Sequence, residues 1–333
     1  MTIASPATRS GLRRRPLALC LAVILAAPAT PALAATITVS NCADAGAGSL
    51  RDAAASAISG DTIDFSATLD CSTISLTSGA VTIGQGGDGQ PIVNLTIDGP
   101  GRDALTLDGG YADRVLVHDA GPAGALTISG IRLQHGVIDG DGGCIVSAGS
   151  INLSDVEVSE CMAGIGGSGG AHGGGISVAG DATLLRSFVG DNKVDGTDGY
   201  AYGGGLYAGG TATLTSTTIS GNFATSDSGG SFGGGIAVGK RAGNLQGTLA
   251  ASSSAILWPA SWSGDGGSHG AACHWRAGSP AASSSAGSVT PAAASASHSA
   301  FCPAASSGST LRATRMPRAR SFRRASSPTI STA

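Results

Sequence analysis

Between Gly142 and Val238, small and apolar residues return to the same places about once every thirty positions. Units opening with "GGCIV" at Gly142, "GGGIS" at Gly173, "GGGLY" at Gly203 and "GGGIAV" at Gly233 start 31, 30 and 30 residues apart. Ile145, Ile176, Leu206 and Ile236 form one apolar column. Leu153, Leu184 and Leu214 form a second, and Val158, Val189 and Ile219 a third. Within a unit, "GGGISV", "ATLL" and "SFVG" alternate small or apolar residues with polar ones, as half-buried strands do. A fixed period of this length means that each unit is one layer of a stack, buried only by its neighbours. The pattern therefore predicts an all-β chain, a parallel β-solenoid with coils about 4.8 Å apart and two or three strands per coil.

Gly and Asn punctuate the units, and the corners of a coil are where positive φ is expected. Asn192 and Asn222 recur at one corner, so their amides are expected to bond from coil to coil. A Gly-rich stretch of about ten residues, 193 to 202, is read as a loop projecting from one face. The triplets Gly173-Gly174-Gly175, Gly203-Gly204-Gly205 and Gly233-Gly234-Gly235 open the coils. In the first unit Cys144 stands in place of the third glycine and Cys161 in place of the Asn. Two departures in one unit favour a bond between them.

Residues 36 to 133 carry looser copies of the same strands: "ATITVSN", "DTIDF", "STISLTSG", "AVTIG", "NLTIDGPG", "ALTLDGG", "ALTISG" and "IRLQHG". Among them "GSLRDAAASA" (48–57) predicts a helix. Leu50, Ala53, Ala54 and Ala57 share one face, and Ser49 is placed to cap it. A solenoid end exposes strand edges and core, so a short amphipathic helix there reads as a cap.

The first 34 residues have the form of an export signal. Arg9, Arg13, Arg14 and Arg15 precede the apolar run "LALCLAVILAA", and Ala32-Leu33-Ala34 matches an A-x-A cleavage site before Ala35. Export implies an oxidising compartment, so Cys42, Cys71, Cys144 and Cys161 are expected to form two disulfides. Cys42–Cys71 and Cys144–Cys161 are the pairs closest in sequence, although three connectivities are open. Residues 35 to 240 hold 21 Asp and Glu against 7 Lys and Arg, a net of −14, which disfavours nucleic acid as a partner.

The run "GSLRDAAASAISGDTIDF", "ISLTSGAVTI" and "LTIDGPGRDALTLDGG", followed by "GGGI…TLTSTTISGN" units, resembles exported bacterial right-handed parallel β-helix proteins. These have a pectin-lyase-like fold and often an SLR-type N-terminal cap. The repeats also resemble those of polymorphic outer-membrane and autotransporter passengers. The resemblance covers about 36 to 240 and includes no anchoring segment. It implies a secreted or cell-surface stalk or adhesin-like protein, outside the cell, on the outer membrane or in the periplasm. Glycans or neighbouring surfaces would be its partners, and no cofactor is implied.

The same fold also hosts polysaccharide lyases and hydrolases, which need clustered carboxylates and a basic residue. "DGDGG" offers Asp139 and Asp141 as a small cation site, but hard cations take six to eight oxygens, and a polar turn is the simpler reading. Tyr200, Tyr202 and Tyr207, with Phe232, form a candidate glycan-contact stripe; edge packing against the solenoid competes with it. "GGIAVGKR" (234–241) matches a phosphate-binding loop except that Arg241 replaces the Ser or Thr, and no long helix follows. His118, His135 and His172 are isolated in sequence and read as surface residues. No catalytic residue is assigned.

Four segments result: a signal (1–34), a cap with the first coils (35–133), the repeats (134–250), and an Ala/Ser/Arg-rich tail (251–333). In the tail 36 of residues 257–333 are Ala or Ser, and the charge from 241 onward is +7 (8 Arg, 1 Asp). Leu249 is placed in the column after Ile219 and Ser252 in that of the ladder Asn, and by Leu257 no register survives. Two readings fit: a disordered basic tail, or a shifted reading frame beginning near position 245. The abrupt break without a cap favours the shift.

Overall fold

The computed structural model describes residues 34–166, 169–239 and 248–257, together with the short strands Ala260–Ser263, Ser268–His269, Trp275–Arg276 and Ala282–Ser285. The segment read as an export signal, Lys240, Arg241 and most of the tail lie outside them. The described residues wind into a parallel β-solenoid of about seven turns with one helix among them.

Three stacked sheets form its walls. Sheet I runs from Thr36–Val39 through Thr62–Phe65, Asn94–Asp98, Ala125–Ser129, Ser150–Ser154, Ala182–Leu185 and Ala212–Thr215 to Thr248–Ser252. Sheet II stacks Thr73–Ser75, Thr106–Asp108, Arg132–Gln134, Glu157–Ser159, Phe188–Gly190, Thr218–Ser220 and Ala255–Leu257. Sheet III stacks Val81–Ile83, Leu116–His118, Ile145–Ser147, Ile176–Val178, Leu206–Ala208 and Ile236–Val238. Leu116–His118 is a strand the sequence pattern did not single out.

The apolar columns pair in register. Leu116, Ile145, Ile176, Leu206 and Ile236 align across sheet III. Ile128, Leu153, Leu184 and Leu214 align in sheet I, and Leu133, Val158, Val189 and Ile219 in sheet II. Nearly all of them are buried in one continuous core. Each such side chain contributes about 1.5–3 kcal/mol on burial, and none could do so without the coil above or below.

The helix α1, Leu50–Ser56, closes the N-terminal end. Asp52 N–H donates to Ser49 Oγ at 3.2 Å, and Leu50, Ala53, Ala54 and Ala57 are buried. Arg51 fastens the helix, donating to the carbonyls of Gly79 (2.6 Å) and Ala80 (2.7 Å) and to Asp44 Oδ1 (2.8 Å). Asp44 in turn accepts from Ser78 N–H at 2.7 Å and Thr77 Oγ1 at 3.0 Å, and from the Ser78 hydroxyl. Disulfides join Cys42 to Cys71 and Cys144 to Cys161, with Cα–Cα distances of 6.3 and 5.5 Å.

Each glycine of the opening triplet answers to a different constraint. The first has positive φ (Gly173 65°, Gly203 66°, Gly233 60°). A Cβ on Gly174 or Gly204 would collide with the backbone of the next coil. A Cβ on Gly175 would lie 2.9 Å from the Asn192 side chain, and one on Gly205 2.8 Å from Asn222. In the first repeat Cys144 and Cys161 occupy the places of glycine and Asn, and their disulfide fills that space.

The ten-residue stretch after the Asn is not a free loop. Met162–Ala163, Lys193–Asp195 and Phe223–Ser226 stack on Val137–Ile138 as sheet IV, and Ala171–His172, Ala201–Tyr202 and Ser231–Phe232 stack as sheet V. Ala163, Ala171, Val194, Ala201 and Ala224 are buried between them as a second small core. Sheets IV and V thus form a fin two strands wide with mostly alanine between them.

The register also continues past position 245. Leu249 pairs with Ala212, and the residue aligned with Ile219 is Ile256. The spacing there is 37 rather than 30, so seven additional residues fall between Val238 and Thr248. Ser252 accordingly aligns with Thr215, not with an Asn. Ala260–Ser263 and Ser268–His269 continue sheets IV and V. Trp275–Arg276 and Ala282–Ser285 then pair antiparallel with the last strands of sheets II and I.

Candidate functional site

Positive φ does fall at the corners, but not on the Asn residues. After sheet I it falls on Gly130, Asp155, Arg186, Ser216 and Ser253, and after sheet II on His135, Glu160, Asp191 and Gly221. Asn192 and Asn222 come one residue later, with their side chains turned inward and 1% exposed. A single left-handed residue between two strands turns the chain sharply and aims its own side chain outward. The second column therefore presents His135, Glu160 and Asp191 on successive coils, and Tyr111, also left-handed at φ 57°, precedes them.

Tyr111, Glu160, Met162, Asp191 and Lys193 line an open groove of about 450 Å³ along this corner. Beside Tyr111 and Glu160, His135 Nδ1 lies 3.0 Å from Asp108 Oδ2, and its Nε2 lies 3.4 Å from Glu160 Oε2. The Tyr111 hydroxyl donates to Glu160 Oε2 at 3.4 Å, and its ring leans on His135 with centroids 4.4 Å apart. Lys193 Nζ donates to Asp195 Oδ2 at 2.9 Å. Partial burial raises the Asp108 carboxyl pKa, but hydrogen bonds from Gln134, Gly110 N–H and His135 outweigh it and hold it below the usual range. Partial burial and the Glu160 charge push the Tyr111 phenol up. The site thus holds an exposed aromatic ring, carboxylates of two coils, an imidazole and an ammonium group.

The Tyr200 stripe sits elsewhere, along the fin, with Tyr207 on the adjoining strand of sheet III. His172, Tyr202 and Phe232 stack along sheet V, with centroids 5.0 Å apart and planes 10° and 12° from parallel. Tyr207 meets His172 edge-on at 4.6 Å, and its hydroxyl donates to Gly239 O at 2.5 Å. Tyr202 and Tyr207 are buried, while Tyr200 is 53% exposed. Asp141 belongs to the same structure: its Oδ1 accepts from His172 N–H and lies 2.9 Å from the ring Nδ1. Among the described residues no group of three or more His, Cys, Asp or Glu side chains is placed to hold a metal ion. Asp139 and Asp141 stand in the turn before sheet III.

The histidines are not isolated surface residues. His118 is 1% exposed and shares a 2.8 Å hydrogen bond with Ser147 Oγ. His135 and His172 are each held by a carboxylate, because the stacking brings residues about thirty apart side by side. In the stretch read against a phosphate-binding loop, Ile236–Val238 is a strand of sheet III. Among the described residues no helix is long and apolar enough to cross a membrane.

Neither a family model, nor a curated protein, nor a solved structure matches the chain.

Proposed function

We propose that the mature chain is an exported, surface-facing β-solenoid that works as a non-catalytic, adhesin-like scaffold and contacts saccharides along the Tyr111 groove. The groove is the observation that carries this reading. A half-exposed aromatic ring beside carboxylates and an ammonium group offers a face for sugar C–H groups and donors and acceptors for hydroxyls. The left-handed corners hold these groups rigidly, which lowers the entropy lost on binding. Two disulfides and the A-x-A motif support export. Titration calorimetry with neutral and uronate oligosaccharides tests it. Binding weakened at least about tenfold by Tyr111→Ala is expected; a wild-type chain that binds none of them would sink the proposal.

One observation favours a polysaccharide lyase or glycoside hydrolase instead. His135 lies between Asp108 and Glu160, an arrangement suited to moving a proton. Release of unsaturated or reducing ends from pectate or alginate, lost in His135→Gln, would establish that activity.

A further inference from the structure

Asp61 is 3% exposed and accepts two backbone hydrogen bonds, from Ile58 N–H to Oδ2 at 2.9 Å and from Ala35 N–H to Oδ1 at 2.7 Å. No Lys, Arg or His side chain among the described residues pairs with it. A buried carboxylate is costly unless a positive charge meets it. The surroundings are rigid. Asp61 N–H donates to Ile58 O, Thr96 N–H donates to Asp61 O, and Thr62 N–H donates to Ala35 O at 2.8 Å. Ala34 and Ala35 themselves are exposed and lie just before the first strand of sheet I. The bond between them is the one that the A-x-A motif marks.

We propose that Asp61 is the receptor for the α-ammonium group that cleavage after Ala34 creates on Ala35. An exported-leader peptidase would hydrolyse the Ala34–Ala35 amide with one water. The C–N bond breaks, the new carboxylate leaves on Ala34 with the leader, and the amine left on Ala35 takes up a proton. The nitrogen already at 2.7 Å from Asp61 then changes from a neutral amide donor to a cation. The hydrogen bond becomes a charge-assisted ion pair without movement of the backbone. Cleavage one residue to either side would set the charge about 3.8 Å along the chain, beyond the carboxylate's reach. Processing and completion of the cap are thereby linked through a single residue, independently of what the Tyr111 groove binds.

The full-length precursor, expressed in a secreting host, tests this. Intact mass should show a chain beginning at Ala35. That chain should melt about 3 °C or more above the same chain carrying a two-residue N-terminal extension or an Nα-acetyl group. Asp61→Asn should remove the difference. If the Asn variant does not fold, the comparison of free, acetylated and extended termini in the wild-type sequence decides the matter alone. An N-terminus elsewhere, equal melting of the three forms, or an unchanged difference in Asp61→Asn would overturn the proposal.

Discussion

Asn222 Oδ1 accepts two hydrogen bonds from Asn192 one coil away, from the backbone N–H at 3.0 Å and from the side-chain amide at 2.9 Å. Asn192 Oδ1 repeats the first of these with Cys161 N–H at 3.0 Å, and the Asn222 amide reaches back to Val189 O at 2.9 Å. The ladder satisfies backbone groups that the corner removes from both flanking sheets. Asn222→Ala leaves buried donors without partners and should cost about 2–4 kcal/mol. Asn222→Asp keeps the acceptor but loses the donor and should be at least as harmful, because it adds a buried charge. Urea unfolding of the three proteins checks the order; equal midpoints would show that the ladder contributes nothing.

Cys144 and Cys161 replace the Gly and Asn of the later repeats at one point in space. Single substitution of either should destabilise the chain by about 2–4 kcal/mol. The double variant Cys144→Gly, Cys161→Asn restores the pair used at Gly175–Asn192 and should recover a good part of that loss. It should also make the melting temperature less sensitive to reductant, which calorimetry with and without dithiothreitol would show.

Burial pushes the His118 imidazole below its ordinary value. The folded state therefore takes up its proton later than the unfolded chain does. The stabilisation is complete above about pH 6.5 and is lost as pH falls below that, with a limiting slope of about 1.4 kcal/mol per pH unit. His118→Leu should flatten this part of the stability profile. An unaltered slope between pH 6.5 and 5 would refute the assignment.

Asp44 gives a second, more acidic limb. Burial alone would raise its pKa, but hydrogen bonds from Arg51, Ser78 and Thr77 hold it far below the usual carboxylate range. Its contribution is present above about pH 4 and disappears as pH falls toward the folded value. Asp44→Ala should cost about 1–3 kcal/mol at neutral pH and remove that limb. Loss at neutral pH with the acid limb intact would place the origin of the limb in other carboxylates.

The stack was legible because its apolar columns repeat and because each coil can bury its residues only against the next. The paired exceptions favoured Cys144–Cys161, and Cys42–Cys71 was the other pair closest in sequence, with three connectivities open until the structure showed these two bonds. The corners were not legible. Their left-handed positions carry Arg186, Glu160, Ser216 and Ser253, residue types that do not announce positive φ, beside Asp155 and His135, of types that adopt it more readily. The fin escaped notice because "KVD" and "AY" are too short to show alternation. The Tyr111 groove escaped for another reason. Tyr111, Glu160 and Asp191 are 49 and 31 residues apart, and only the turns of the solenoid set them on one edge. Seven additional residues before Thr248 likewise displaced the register of Leu249, so that its pairing with Ala212 did not show in the sequence.

The two antiparallel strands that lie on the final coil have a consequence for growth. A parallel stack is its own template, and any strand of the right direction can extend it. Trp275–Arg276 and Ala282–Ser285 run the opposite way. Another chain arriving in the common direction would meet, on sheets I and II, a strand of reversed polarity in place of the parallel edge that continues the stack.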